Sequence, residues 1–184
     1  AHGDIFTDMY EQKEKGLQDS FKKRHLDFYK KAGITHSIFV NWTDPKTDDQ
    51  NLFNSIFENA FVELIEHNDI FKVCLNYQDM LDAVDESKIG VIIGMEGIMQ
   101  LEDVNHLRSL YKKGVRHASL TWNEVNKYAG GLSSETEGLT LLGKEILTEM
   151  ESLGMIIDLA HANPRTFDDI LNHTRGPVII SHGN

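Results

Sequence analysis

Five short apolar runs set the limits on what this chain can fold into. They are Ile34 to Trp42, Gly90 to Gly97, Val115 to Trp122, Met155 to His161 and Pro177 to His182. Each is rich in β-branched residues and nearly continuous, not alternating between apolar and polar. That is the pattern of a strand buried on both faces of a parallel sheet. A weaker run, Phe71 to Asn76, reads either as another short strand or as a loop.

Helical patterns fill the gaps. Phe21 to Ala32 places Phe21, Leu26 and Tyr29 near one face and runs into Gly33, a natural C-cap. Leu52 to His67 repeats Phe53, Ile56, Phe57, Phe61, Leu64 and Ile65 at helical spacing. Leu107 to Lys113 leads into Gly114, and Leu141 to Leu153 leads into Gly154. Pro164 to Asn172 opens on a proline suited to the first helical position. The β-α-β-α rhythm predicts an α/β fold with parallel strands. No repeat or linker interrupts it, and three prolines in 184 residues offer few breaks, so residues 1–184 are expected to form one domain.

Composition narrows the partners. The 29 acidic residues outweigh 18 basic ones, for a formal charge of −11. That balance argues against nucleic acid and anionic membrane surfaces, which attract clustered Lys and Arg. Cys74 is the only cysteine, which rules out an intrachain disulfide and a thiolate zinc cluster and fits a reducing compartment. No apolar run is long enough to span a bilayer.

One regularity points to chemistry. Four of the apolar runs end on a metal-binding residue or at the start of a polar loop: Glu96, Trp122, His161 and His182. In a parallel barrel all strand C-termini face one side, and that side holds the active site. His2-Gly3-Asp4 adds an HxD pair, and in an extended chain residues i and i+2 project the same way. His2, Asp4, Glu96, His161 and His182 together form a mixed imidazole and carboxylate set suited to Zn²⁺ in a catalytic site. Five ligands exceed one tetrahedral ion and fit two ions sharing a carboxylate, with Glu96 as the bridge. Taken singly, each has a plainer reading: a turn for HxD, an ion pair for Glu96, a satisfied histidine for His161 or His182. His25, His67, His106 and His173 read as surface residues, and His36 and His117 as structural ones inside strands.

The matching segments are AHGD (1–4), GMEG (94–97), GVRHASLTWN (114–123), GLTLLGK (138–144), LGMIIDLAH (153–161) and PVIISH (177–182). With these segments in this order, the chain resembles the membrane (renal) dipeptidase family of zinc peptidases. The resemblance implies a TIM-type (β/α)₈ barrel of the amidohydrolase-like kind. It implies that His2 and Asp4 bind one zinc, that Glu96 bridges both ions and acts in catalysis, and that His161 and His182 bind the second. A water or hydroxide between the ions would attack the peptide carbonyl. Dipeptides, often with a C-terminal D-residue, are the implied substrates, and a homodimer is a common assembly in the family.

Two departures qualify these expectations. Many members carry a substrate-polarising histidine where this chain has Trp122, within Leu120-Thr121-Trp122-Asn123. Trp122 and Asn123 are therefore assigned to substrate binding, with the indole N–H able to donate one hydrogen bond, and a Trp that simply packs at the pocket wall is the plainer reading. The chain also stops at Asn184, before two further strands that in the family bear an acidic proton shuttle and a basic group for the substrate carboxylate. It is expected to hold about six of eight strands and to be inactive alone, since an open barrel exposes its edges. Related hydrolysis of a cyclic amide, lactone or N-acyl amino acid is the alternative activity, and a non-catalytic barrel scaffold the alternative outside enzymes. The absence of secretion signals in this stretch points to the bacterial cytoplasm.

Overall fold

A computed structural model describes residues 1–47 and 49–183. Its contacts divide the chain into an N-terminal unit of Ala1–Trp42 and Asp49–Gly94, and a C-terminal unit that takes up the chain from Met95. All strand pairs with a defined register are parallel.

The N-terminal unit contains β1 (His2–Gly3), α1 (Ile5–Glu14), α2 (Ser20–Arg24), α3 (Leu26–Ala32), β2 (His36–Trp42), α4 (Gln50–Glu66), β3 (Phe71–Val73), α5 (Tyr77–Asp85) and most of β4 (Ile89–Glu96). Strand β1 pairs with β2 through His2↔Ile38 and Gly3↔Phe39, and β3 pairs with β4 through Phe71↔Ile89 to Val73↔Val91. Strand β2 neighbours β4. The expectation of strands buried on both faces holds where it matters, because Phe39, Val40 and Asn41 are all buried in succession.

Aromatic packing organises this unit. The Phe21 ring lies 4.8 Å from Phe71, 5.2 Å from Tyr29 and 5.5 Å from Phe39, centroid to centroid. Phe6 of α1 joins at 5.6 Å from Phe39, edge to face. Such pairs contribute beyond the area they bury. A side-chain bond adds to this packing: the Thr7 hydroxyl donates to the Trp42 carbonyl at 2.7 Å and accepts from its N–H at 3.0 Å.

The helix expected over residues 21–32 is two helices. The chain breaks at His25 (φ −117°), whose Nε2 meets Asp8 Oδ2 at 2.7 Å. That contact also brings His25, expected at the surface, to partial burial. Two helices had no clear periodicity in the sequence. Helix α1 carries only Ile5, Phe6 and Met9 as an apolar face before a charged tail. Helix α5 is announced instead by a capping box, with Asn76 accepting from the Asp79 N–H and Asp79 reaching back to Asn76.

The C-terminal unit contains α6 (Val104–Lys112), β5 (Val115–Ser119), α7 (Leu141–Leu153), β6 (Ile156–Asp158), α8 (Pro164–His173) and β7 (Val178–Ile179). Its helices start on side-chain caps from Asp103, Thr140 and Asn163, with Pro164 at the first helical position as expected. Gly33 and Gly154 close α3 and α7 at φ 65° and 68°, a left-handed geometry that favours glycine. The strands are shorter than their apolar runs, because the last residues of each run leave the ladder to build polar loops. Among the described residues, no helix is long and apolar enough to cross a membrane.

Candidate metal centre

Strand register aligns the site. Across β5, β6 and β7, Ser119 pairs with Asp158 and Asp158 with Ile179, so these three form one row. Three residues past each stand Trp122, His161 and His182. Glu96 ends β4, and the chain just after it is tied to the same row: the Gly97 N–H donates to Ser119 Oγ at 3.1 Å. Parallel pairing therefore delivers all four positions to the C-terminal ends of their strands.

The three predicted ligands of this unit converge. His161 Nε2 lies 2.7 Å from Glu96 Oε1, His182 Nε2 lies 3.4 Å from the same oxygen, and the two Nε2 atoms are 2.8 Å apart. Glu96 is buried, with only 5% of its surface exposed. His161 reaches the cluster through a left-handed backbone (φ 65°). That conformation costs a residue other than glycine on the order of 1–3 kcal/mol and gathers at functional sites. Surrounding bonds hold it: Thr121 Oγ1 donates to the His161 carbonyl at 3.3 Å, and Gly131 forms a bridge with Ala162.

The hydrogen-bond chemistry shows what this cluster can hold. Asn123 Oδ1 sits 3.1 Å from His161 Nδ1. That oxygen can only accept, so a neutral His161 keeps its proton on Nδ1 and presents a lone pair from Nε2. The lone pair then faces a carboxylate oxygen and a second imidazole nitrogen, an arrangement that needs a proton or a cation between the three atoms. On its other side His182 meets Ser181 Oγ through Nδ1 at 2.9 Å. Two imidazoles and a carboxylate, each ring held from behind, fit a divalent ion such as Zn²⁺.

Beneath the cluster lies a fully buried pair. His117 Nε2 meets Asp158 Oδ2 at 2.8 Å, with both side chains at 0% exposure. Burial alone pushes the Asp158 carboxyl upward. The bonds from His117, Ser181 and Ala160 outweigh that and hold it well below the usual carboxylate range.

Of the other expected ligands, His2 is half-buried on β1 and Asp4 is exposed at the start of α1, both in the N-terminal unit. The extended geometry expected for the HxD pair reaches only to Gly3. Asp4 has φ −74° and ψ 42°, because α1 begins immediately after it. Trp122 is half-buried, its ring centroid 6.1 Å from that of His161. Sequence reasoning gave Asp158 no role and treated His117 only as structural. The available signal was an acid inside the apolar run Ile156-Ile157-Asp158-Leu159, since an acid is rarely buried without partners.

Known proteins place the chain in a family. The sequence profile of the membrane dipeptidase family (peptidase family M19) matches residues 10–184. A dipeptidase of Schizosaccharomyces pombe is 40% identical over 106 residues, covering 54% of this chain and 26% of that protein. Dipeptidase verJ of Clonostachys rogersoniana is 28% identical over 167 residues, covering 83% of this chain and 43% of that protein. The chain thus spans less than half the length of these relatives. A metallopeptidase of Rhodobacter sphaeroides, solved with a phosphinate mimic of the dipeptide L-Ala-D-Ala, superposes with a TM-score of 0.87 at 18% identity, covering all of this chain and 64% of that one. That likeness gives the fold as the α/β, TIM-type barrel expected from the sequence, of which the chain carries part. With the profile matched over nearly its whole length, the chain belongs to the membrane dipeptidase family, peptidase family M19.

Proposed function

We propose that the protein carrying this chain is a zinc-dependent dipeptidase. The observation that carries the reading is the convergence of Glu96 with His161 and His182 on one point at the strand ends. In this proposal two zinc ions share Glu96, His161 and His182 hold one of them, and His2 and Asp4 hold the other. The assignment of His2 and Asp4 rests on the sequence resemblance. A divalent ion bound there supplies positive charge that polarises a peptide carbonyl and acidifies water.

The chain's own residues then have definite tasks. Glu96 keeps an anionic oxygen facing both rings inside a buried setting, where its charge acts with little screening. Asn123 accepts from His161 Nδ1 and so orients the ring with Nε2 towards the ion. Trp122 lines the approach beside His161 and can donate one indole N–H to substrate, in place of the imidazole common in the family. The Rhodobacter sphaeroides protein was solved with a mimic of L-Ala-D-Ala, which supports dipeptides with a C-terminal D-residue as the substrates to try first. Trp122 also favours a second reading, hydrolysis of a cyclic amide, lactone or N-acyl amino acid, because the polarising imidazole is replaced. The family's common homodimer and a cytoplasmic location belong to the same proposal.

The test uses the natural-length protein purified without chelators. About two zinc ions per chain are expected, as for a two-metal hydrolase. Chelation should abolish turnover of L,D- and L,L-dipeptides, and added Zn²⁺ should restore it. Turnover of cyclic amides, lactones or N-acyl amino acids without dipeptides would move the assignment to the second reading. No metal uptake after supplementation would overturn both.

A further inference from the structure

Asp158 is the last residue of β6 and is not one of the expected ligands, yet every oxygen of its carboxylate is committed. Oδ2 takes the bond from His117 Nε2 at 2.8 Å. Oδ1 accepts two backbone N–H groups, from Ala160 at 2.9 Å and from Ser181 at 3.1 Å. Ala160 immediately precedes His161, and Ser181 immediately precedes His182. One oxygen therefore ties together the two backbone segments that carry the two histidines.

The tie falls where other restraints end. The register pairs of β6 and β7 finish at Asp158↔Ile179, and the next backbone bond is Leu159 N–H to the Ile179 carbonyl at 2.8 Å. Beyond that, the Asp158 side chain continues the ladder in place of the backbone. It does so in front of His161, whose left-handed φ of 65° relaxes unless its neighbours hold it. Bonds to an ionised acceptor are shorter and stronger than neutral ones, and a fully buried carboxylate with three donors has few other conformations open to it.

We infer that Asp158, locked from behind by His117, is a positioning residue that sets the spacing of the His161 and His182 rings. This inference rests on the metal-site reading above for its consequence, a tighter grip on a divalent cation. Its geometric part, the ring spacing, stands by itself. Outer supports of this kind typically change metal affinity 10–100-fold when removed.

The experiment compares D158N and D158A in the natural-length protein. D158N keeps an oxygen for the Ala160 and Ser181 N–H groups, and His117 can switch tautomer to accept from the new amide; D158A keeps neither. In metal-free protein, the ring ¹⁵N signals of His161 and His182 should both move in D158A and stay near their wild-type positions in D158N. In a chelator competition, D158A should bind Zn²⁺ about 10–100-fold more weakly than wild type, with D158N recovering most of the loss. Unmoved ring signals in a folded D158A, or D158N as damaging as D158A, would overturn the inference. If D158A does not fold, wild-type hydrogen exchange decides. The Ser181 and Ala160 amides should exchange far more slowly than that of Gly183, and a Ser181 amide as fast as Gly183 would sink the idea. A wild-type protein that takes up no metal would instead remove the dipeptidase reading, while the ring signals still report on Asp158.

Discussion

The two units of this chain weight aromatic and polar burial differently. In the N-terminal unit the largest buried groups are rings: Phe6, Phe21, Phe39 and Phe53, with Tyr29 and Phe71 beside them. In the C-terminal unit the interior is threaded with buried polar side chains, among them His117, Ser119, Thr121, Asn126, Asp158, Asn163 and Thr166. Apolar burial is non-directional and tolerates approximate shapes, whereas buried polar groups must each find partners of correct geometry. The cluster of Glu96, His161 and His182 belongs to the second kind of interior. Directional bonds can fix a ring to within a fraction of an ångström; a Phe cluster supplies cohesion without that control.

The largest test of this contrast is F21A. Phe21 is 1% exposed and packs against three other aromatic rings. Truncation should cost about 3–5 kcal/mol of stability through lost burial and the cavity left behind. Denaturant unfolding of the natural-length protein measures it. Affinity for the proposed zinc ions, read in the molecules that remain folded, should be nearly unchanged. A variant that unfolds little but loses metal would break the proposed division of labour.

N126A is the matching test in the C-terminal unit. Asn126 Nδ2 donates to the Leu120 carbonyl at 2.8 Å, and its Oδ1 accepts from the N–H groups of Tyr128 at 2.8 Å and Ala129 at 3.1 Å. It thereby shapes the loop that begins at Trp122 and Asn123. Removing it strands three backbone groups, at about 1–3 kcal/mol for each that stays dry, so the loss is comparable with that of the Phe21 change. Activity should fall by more than the stability loss explains, because Asn123 no longer sits squarely on His161. Wild-type kcat and KM in N126A would show that the polar framework is structural only.

How much of this was legible in sequence follows the same line. The strands and long helices were readable because burial leaves a period: the run ending at Glu96 and the repeats of α4 could belong to little else. The convergence of Glu96, His161 and His182 was readable because each stands at the end of such a run. Asp158 was not assigned, since a carboxylate inside an apolar run has no periodic signature and its partners lie at Ala160, Ser181 and His117, two of them backbone groups. Asn123 was assigned to substrate on resemblance, while its bond to His161 Nδ1 needed coordinates. Helix α1 was missed because its three apolar residues are too few to mark a face. Helix α5 was missed although Asn76 and Asp79 spell a capping box.

The smallest effect concerns one of the buried polar groups in the ring-rich unit. Glu63 of α4 is 6% exposed. Burial pushes its carboxyl above the usual range, and the nearby His67 and Lys13 charges pull it back only in part. His67 Nε2 stands 3.5 Å from Glu63 Oε2, which is long for a strong pair. A carboxyl whose folded pKa is raised favours the fold when protonated. Its contribution is present below the unfolded value of about 4.3 and is lost as pH rises through the folded value. At pH 7 the ionised Glu63 therefore costs stability, and E63Q should be more stable than wild type by less than about 1 kcal/mol. The advantage should shrink as pH is lowered towards 4, where wild-type Glu63 takes up its proton. Paired thermal melts at pH 7 and pH 4 measure both. Destabilisation by E63Q at pH 7 would mean that the contact with His67 outweighs burial. In that case even the aromatic unit would depend on a directed polar pair, and the contrast between the two interiors would narrow to one of degree.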